Sequence, residues 1–538
     1  MIDMSQTKQP TNTGALTTLV MVFFFWGFIA ASNSIFIPFC KTHFNLNNFE
    51  SQLIGSAFYG AYFIGSLILF IFSNVLGKDL LNKIGYKKGI IYGLLISVVG
   101  ALLIIPSANA NSFPAILASF FVVALGFSLQ QTAAQPFAIS LGDPSTGSHR
   151  LNLGGSINSL GTTLGPIIVS FFLFGTADSK AAVVTVTNIN ILYLIVAGVF
   201  AAVALFFTFS NLPDGKNDEA FEKANKASSS LLMMTLLIGA IIIVGQFTEV
   251  SKLTLLLISL VAVVGVLFYS NASAIKNNDG WGAMKYPQLI YGMIGIFVYV
   301  GVEVTIDNNF GALLKIPGYL TSEGLDESAI SKYISLYWGS LMIGRWTGAI
   351  SVFNLKGTLK TVMMIVVPFI AFGVVLGVSQ IYGNDVTDLF GYAVFIAIAV
   401  GAFFYGQEKP VKTLLAVSVL AAACMLVGVF TNGIVSVYAF MAGGLCCSVM
   451  WPCIFSLSVG GLGKYTSQGS AFLIMMILGG AIIPPLQGAI GDMDAVGMHK
   501  SYLLAAAGFL FLAYLALKQK AVLKTQGIDF DAQVSGGH

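Results

Sequence analysis

Glu303 and Asp307 lie four residues apart in YVGVEVTIDNNFGALL, inside a run from Pro287 to Ile316 that is otherwise apolar. A charge at the centre of a bilayer costs about 2.5 to 3.5 kcal/mol on insertion scales, so acids kept at that depth mark a function. Four residues are about one helical turn, which sets both carboxylates on one face. Two carboxylates that close in a medium of low polarity resist joint ionisation, the property a proton-carrying site needs. With Thr305 and Asn308 beside them, the same oxygens also suit Na⁺, a hard cation satisfied by carboxylate and amide oxygen.

Other polar side chains in apolar runs complete a candidate solute site. Gln130, Gln131, Gln135 and Asn158 offer neutral amides that donate to and accept from hydroxyls, and an unpaired amide in hydrocarbon is costly. Asn33 and Ser34 add small polar groups in the first run. Trp26, Tyr299, Tyr337, Trp338 and Trp451 offer apolar faces to a sugar ring, although each alone suits packing or interfacial anchoring as well. Arg150 and Arg345 fall at helix ends, where gating or loop anchoring is expected and chemistry is not.

The elements that must position these residues are membrane helices. The 538 residues are 56% hydrophobic and 9% charged, with a mean hydropathy of +0.86. Soluble domains carry about 25% charged residues. Apolar runs of about 20 residues recur along the chain, as a bilayer requires of helices that satisfy their own backbone. The five cysteines (Cys40, Cys424, Cys446, Cys447 and Cys453) have no metal-ligand spacing and are expected to pack. GGLGKYT, Gly460 to Thr466, fails as a phosphate loop, since Ser458 takes the first glycine position and Tyr465 follows Lys464. Without a nucleophile, metal cluster or phosphate loop, the acids do not predict an enzyme, and no resident cofactor or metal is expected. Nor is there a nucleic-acid module.

Hydropathy places about 16 helices. Residues 1–14 read as a polar tail, 15–210 as a six-helix half, and 211–287 as a charged loop, a helix pair and a linker. Residues 288–520 read as a second half with a further helix pair near 358–405, and 521–538 as a tail. If the chain alternates with both termini cytoplasmic, all Lys and Arg but Lys41, Lys180, Lys252, Lys315, Lys332 and Lys500 fall on the cytoplasmic side, as the positive-inside rule asks.

Several stretches resemble the major facilitator superfamily. GKDLLNKIGYKKG is similar to its Gly-rich basic loop after helix 2, in which lysines hold the cytoplasmic gate, so the resemblance implies a gating role for Lys83. FFFWGFIAASNSIFIPF, QQTAAQPFAISLGDPSTGSHRLNLGGSINSLGT, YVGVEV, ISLYWGSLMIGRWTG, SVMWPCIFSLSVGGLG and SQGSAFLIMMILGGAIIPPLQGAIGD resemble, in family order, its fucose, galactose and glucose symporter branch. The resemblance implies two six-helix halves that rock around a midplane site, with the pairs at 230–270 and 358–405 as additions packed at the periphery. It also marks departures. Proton-coupled members of the branch carry Asp and Glu where this chain has Ser34 and Gln131, and RLNLAQ, with a sugar-facing glutamine, where it reads RLNLGG and places Gly155. Glu303 is a residue the family expects, whereas Asp307 and Asn308 replace a small-residue pair.

The expected function is therefore secondary active transport of a small neutral solute, a monosaccharide above all. It would be coupled to H⁺ or Na⁺ and run by a monomer in the cytoplasmic (inner) membrane. The alternatives are an uncoupled sugar facilitator, which Ser34 and Gln131 suggest, and a non-transporting membrane sensor or scaffold.

Overall fold

The computed structural model describes residues 10–46, 48–174, 185–216, 222–325, 327–353, 355–407 and 409–530, and among these it forms no strand. The first helices are α1 Thr13–His43, α2 Asn48–Leu76, α3 Leu80–Ile84, α4 Tyr86–Asn109, α5 Phe113–Ser140, α6 Gly147–Phe174 and α7 Val186–Phe209. Two more, α8 Asn225–Phe247 and α9 Lys252–Lys276, precede α10 Pro287–Leu314, α11 Glu327–Ala349, α12 Gly357–Ile381, α13 Ala393–Gly406 and α14 Pro410–Phe430. The chain closes with α15 Gly433–Cys447, α16 Met450–Val459, α17 Thr466–Met475, α18 Gly479–Gly491, α19 Gly497–Ser501 and α20 Leu503–Thr525.

Local chemistry sets the helix starts. Ser112 caps α5 by accepting from the Ala115 N–H at 3.4 Å, and Thr185 and Asn188 form a reciprocal cap on α7. Pro287 opens α10, where a missing N–H has no cost. Among the described residues, 13 spans are long and apolar enough to cross a membrane. Helices α1, α6 and α11 also stand where crossings were expected from the sequence.

Helix α1 packs on α6, α4 on α5 and α7, and α2 on α5. The crossing of α1 and α6 is close because Gly27 and Gly161 lack side chains: a Cβ at either would overlap a backbone carbonyl of the other helix, that of Asn158 or of Phe24. Later in the chain α10 packs on α16, α18 and α20, and α14 on α15 and α20. The two groups meet through α6 against α11 and through α17 against α2 and α5. Burial follows this plan. The window in α10 is 94% buried, against 22% and 28% for α8 and α9 and 33% for α12. Both described termini lie at one end of the bundle, where Asn12 N–H donates to the Leu141 carbonyl and Gln288 Nε2 donates to Gln526 Oε1 and to the Gly460 carbonyl.

Candidate functional site

A cavity of about 300 Å³ lies where the two helix groups face each other, lined by α1, α2, α5, α6 and α7 on one side and α10, α11, α16 and Ile477 on the other. That volume is at the lower end of small-molecule sites. Glu303 sits in its wall at 9% exposure. The helix above it is apolar on every side because it is enclosed by protein, which is why an acid here is held rather than hydrated. Tyr299, one turn earlier, donates to Glu303 Oε1 at 2.6 Å, and Tyr337 Oη donates to the Glu303 backbone carbonyl at 2.6 Å. Asp307 follows on the same face, half-buried beside the Trp338 indole, with its Oδ1 enclosed and unpartnered among the described residues. Tyr59 of α2 faces both acids.

Arg345 corrects the expectation from sequence. It was assigned to a gate at a helix end, yet α11 runs on to Ala349 and carries its side chain into the cavity wall. Its Nη2 is 3.9 Å from Glu303 Oε1, and its Nη1 donates to Ser159 Oγ of α6 at 3.0 Å. The signal available was composition: Arg345 is one of only two arginines in the chain, and it interrupts an apolar run.

The amides divide. Gln131, Gln135 and Asn158 line the cavity, with Gln131 Nε2 donating to Tyr62 Oη at 2.8 Å and Asn158 Nδ2 to the Phe23 carbonyl at 3.0 Å. Gln130 stands behind the wall, fully buried, accepting from the Trp26 indole N–H at 2.6 Å and donating to Ser97 at 3.1 Å. It fixes Trp26 instead of meeting solute. Among the aromatics, Trp26, Tyr299, Trp338 and Trp451 line the cavity, while Tyr337 is enclosed behind Glu303. Asn308 is exposed, because one residue further is 100° around the helix, so it does not join the acid pair. The side chains of Asn33 and Ser34 lie outside the described residues. Tyr59 and Tyr62, three apart in FYGAYF, were not singled out from sequence, since their run is otherwise apolar and reads as plain span.

The end of the bundle that carries the termini is sealed. Asp79 caps α3 by accepting from Asn82 N–H at 3.0 Å and also accepts from Ser467 Oγ of α17 at 3.0 Å, while Asn82 Nδ2 donates to the Lys464 carbonyl at 3.3 Å. Burial pushes the Asp79 carboxyl above its usual range. Lys83, the expected gate, is exposed on the outer side of this five-residue helix, so the short neighbours make the link that the long cation was expected to make. Glu222, in the loop before α8, accepts from Lys464 Nζ at 3.0 Å and from Tyr465 Oη, with Lys285 Nζ at 3.6 Å. These donors hold its carboxyl at about 2, below the ordinary 4.5. Arg150 is almost fully buried and donates to the carbonyls of Ala138, Ile139 and Asp143 and to Thr146 Oγ1, so it anchors the α5–α6 loop.

A two-sided helical bundle with a central cavity, sealed at the end that carries the termini, matches solved structures over nearly its whole length. A major facilitator superfamily transporter, the fucose symporter FucP in an outward conformation, superposes with a TM-score of 0.63 at 22% identity, covering 94% of this chain and 98% of that one. The chain has the major facilitator fold. A proton:xylose symporter of the same superfamily aligns with a TM-score of 0.52 at 13% identity, covering 94% of this chain and 95% of that one. No family model matches the sequence. Among curated proteins, the chain is 29% identical to a glucose/galactose transporter of Brucella abortus over 95% of its own length and 96% of that protein's. It is 25% identical to an L-fucose-proton symporter of Escherichia coli over 88% of its length and 86% of that protein's. The resemblance read from the motifs to the sugar-symporter branch is thus carried by nearly the whole chain, which is a multi-pass membrane protein.

Proposed function

We propose that this protein is a proton-coupled monosaccharide transporter that works by alternating access. The observation that carries the reading is the cavity between the two helix groups, where amides and indoles suited to a sugar stand beside a buried carboxylate. The names of the relatives support the solute class and the ion, since they are transporters of glucose and galactose and symporters of L-fucose with protons. The Lys and Arg distribution supports a cytoplasmic location for the end that carries the termini, which makes the sealed end the inner one. In this reading Gln131, Gln135 and Asn158 bind hydroxyls, Trp26, Trp338 and Trp451 flank the ring, and Glu303 with Asp307 carries the proton. Because one chain builds the whole cavity, a monomer suffices, and no cofactor beyond the coupling ion is required.

The test is uptake into proteoliposomes of labelled glucose, galactose and fucose under an imposed inward proton gradient, an inward Na⁺ gradient, or none. The proton gradient is expected to drive accumulation, and Glu303→Gln is expected to abolish it while exchange of labelled sugar continues. Uptake that only equilibrates, whatever the gradient, would establish an uncoupled facilitator instead.

A further inference from the structure

The helix pair α8–α9 is mostly uncovered by protein along its length, yet its feet, at the end that carries the termini, are firmly held. Helix α9 packs on α10 and α18, and the start of α8 meets the end of α2. Ala224 stands at the cap position of α8 and has no side chain that could cap it. The first N–H groups of α8 find their acceptors outside the helix instead. Asn74, near the end of α2 and 7% exposed, accepts from the Ala224 N–H at 2.6 Å and donates to Asn225 Oδ1 at 3.0 Å and Ser228 Oγ at 3.1 Å. The Gly280 carbonyl, in the linker after α9, accepts from the Lys226 and Ala227 N–H groups at 2.9 and 3.2 Å.

That linker is fastened to the second helix group. The Ala283 N–H donates to Gln468 Oε1 of α17, and Lys285 Nζ donates to Tyr465 Oη at 3.1 Å. Gly282 makes the junction close, since a Cβ there would stand 2.4 Å from Gln468 Oε1 and 2.7 Å from the Ala224 Cβ. Trp281 is buried beside it, and the chain runs on into α10. Gln468 belongs to the helix that packs against α2 and α5 across the seal. The feet of α8 and α9 therefore bridge the seal from outside. The bridge is uneven: helix packing and a backbone bond hold it to the second group, and the Asn74 side chain holds it to the first.

We propose that α8–α9 is a strap that travels with the second helix group and holds the sealed end shut by catching on Asn74. This rests on the reading that the two groups rock about the cavity. Opening the sealed end parts α17 from α2, so the strap must let go on one side. Release from the second group requires α9 to unpack from α10 and α18 and the Gly282 junction to come apart. Release from the first requires the hydrogen bonds of one side chain, which water replaces at that end at small net cost. An asparagine suits a catch, because its amide accepts from the helix-start N–H and donates to the two side chains beside it. The catch is neutral, so its hold does not depend on the charge of the acids in the cavity.

The experiment uses the full-length protein with two cysteine pairs. Asn74→Cys/Ser228→Cys ties the strap to the first group, and Ala283→Cys/Gln468→Cys ties it to the second. Each pair is bridged in detergent with a short bis-methanethiosulfonate, and sugar uptake is measured after reconstitution, before and after reductant. The first bridge is expected to lower uptake at least about tenfold, with reductant restoring it, and the second to leave uptake within about twofold of its reduced form. Uptake that persists through the first bridge, or is lost through the second, overturns the proposal. In lipid nanodiscs, spin labels at the exposed positions Lys88 and Lys518 on the sealed end report its opening by electron–electron resonance. Asn74→Leu is expected to raise the population of the longer separation at least about fivefold, and a distribution equal to the parent's overturns the catch. If the reduced proteins and the parent take up no sugar, the transport reading fails, and the label separations alone then decide whether Asn74 holds the seal.

Discussion

Glu303 and Glu222 each meet basic side chains, but their surroundings are opposites. Glu222 is exposed in a loop and is bonded closely by Lys464 and Tyr465 with Lys285 near, so its carboxylate is held ionised. Glu303 is enclosed, and its cation stands off at 3.9 Å while a neutral tyrosine makes the close bond. Tight pairing in water gains little, because solvent screens both partners. Loose pairing in a low-dielectric wall leaves a large interaction that changes sharply when one proton is added. The first arrangement ties a loop down, and the second can switch.

The largest effect that tests this contrast is Arg345→Ala. It should destabilise the protein by about 3 to 5 kcal/mol through the stranded Glu303 carboxylate, with much of the loss recovered in Arg345→Ala/Glu303→Gln. Thermal unfolding in detergent measures it, and equal melting of single and double variants would mean the pair is energetically empty. Next comes Gly155. Gly155→Val should displace the Arg345 stem and reduce gradient-driven uptake more than about tenfold. Gly155→Ala, whose Cβ would stand 3.1 Å from Arg345 Cδ, asks the stem to give by only a few tenths of an ångström and should retain most of it. Gln130→Leu should cost about 1 to 3 kcal/mol, since the buried Trp26 indole loses its acceptor, and should raise KM for sugar more than it lowers the maximal rate.

The smallest effect belongs to Glu222→Gln, below about 1 kcal/mol for an exposed cluster. The folded carboxyl is held at about 2 against an ordinary 4.5, so its contribution is present above 4.5 and is lost as pH falls from there toward 2. Melting curves of the parent and Glu222→Gln should therefore converge as pH drops below 4.5. A loss on the scale of Arg345→Ala would erase the contrast between the two acids.

Much of this was legible from residue types. The depth of Glu303, the amides of α5 and α6 and the family motifs led to the cavity, because polar groups in hydrocarbon are rare and costly. Arg345 was legible as an oddity and misplaced at a helix end, since hydropathy shows a charge near the end of a run and cannot tell that the helix continues past it against another helix. Asn308 was included by adjacency, which fails on a helix where each residue turns 100°, and Gln130 as an amide in an apolar run, a rule that does not separate an amide lining the cavity from one buried behind its wall.

The sequence by itself determined that this chain is a multi-pass membrane protein built of apolar helices and that Glu303 and Asp307 share a face, since each follows from hydropathy and helical period within one segment. Only the tertiary structure decided what stands opposite those acids. Arg345, Tyr59 and Ser159 come from helices far apart in the chain, and the missing side chain at Gly155 gains meaning only from the arginine that lies over it. Pairing across helices depends on which faces pack together and at what height, and a one-dimensional pattern carries the faces but not their partners.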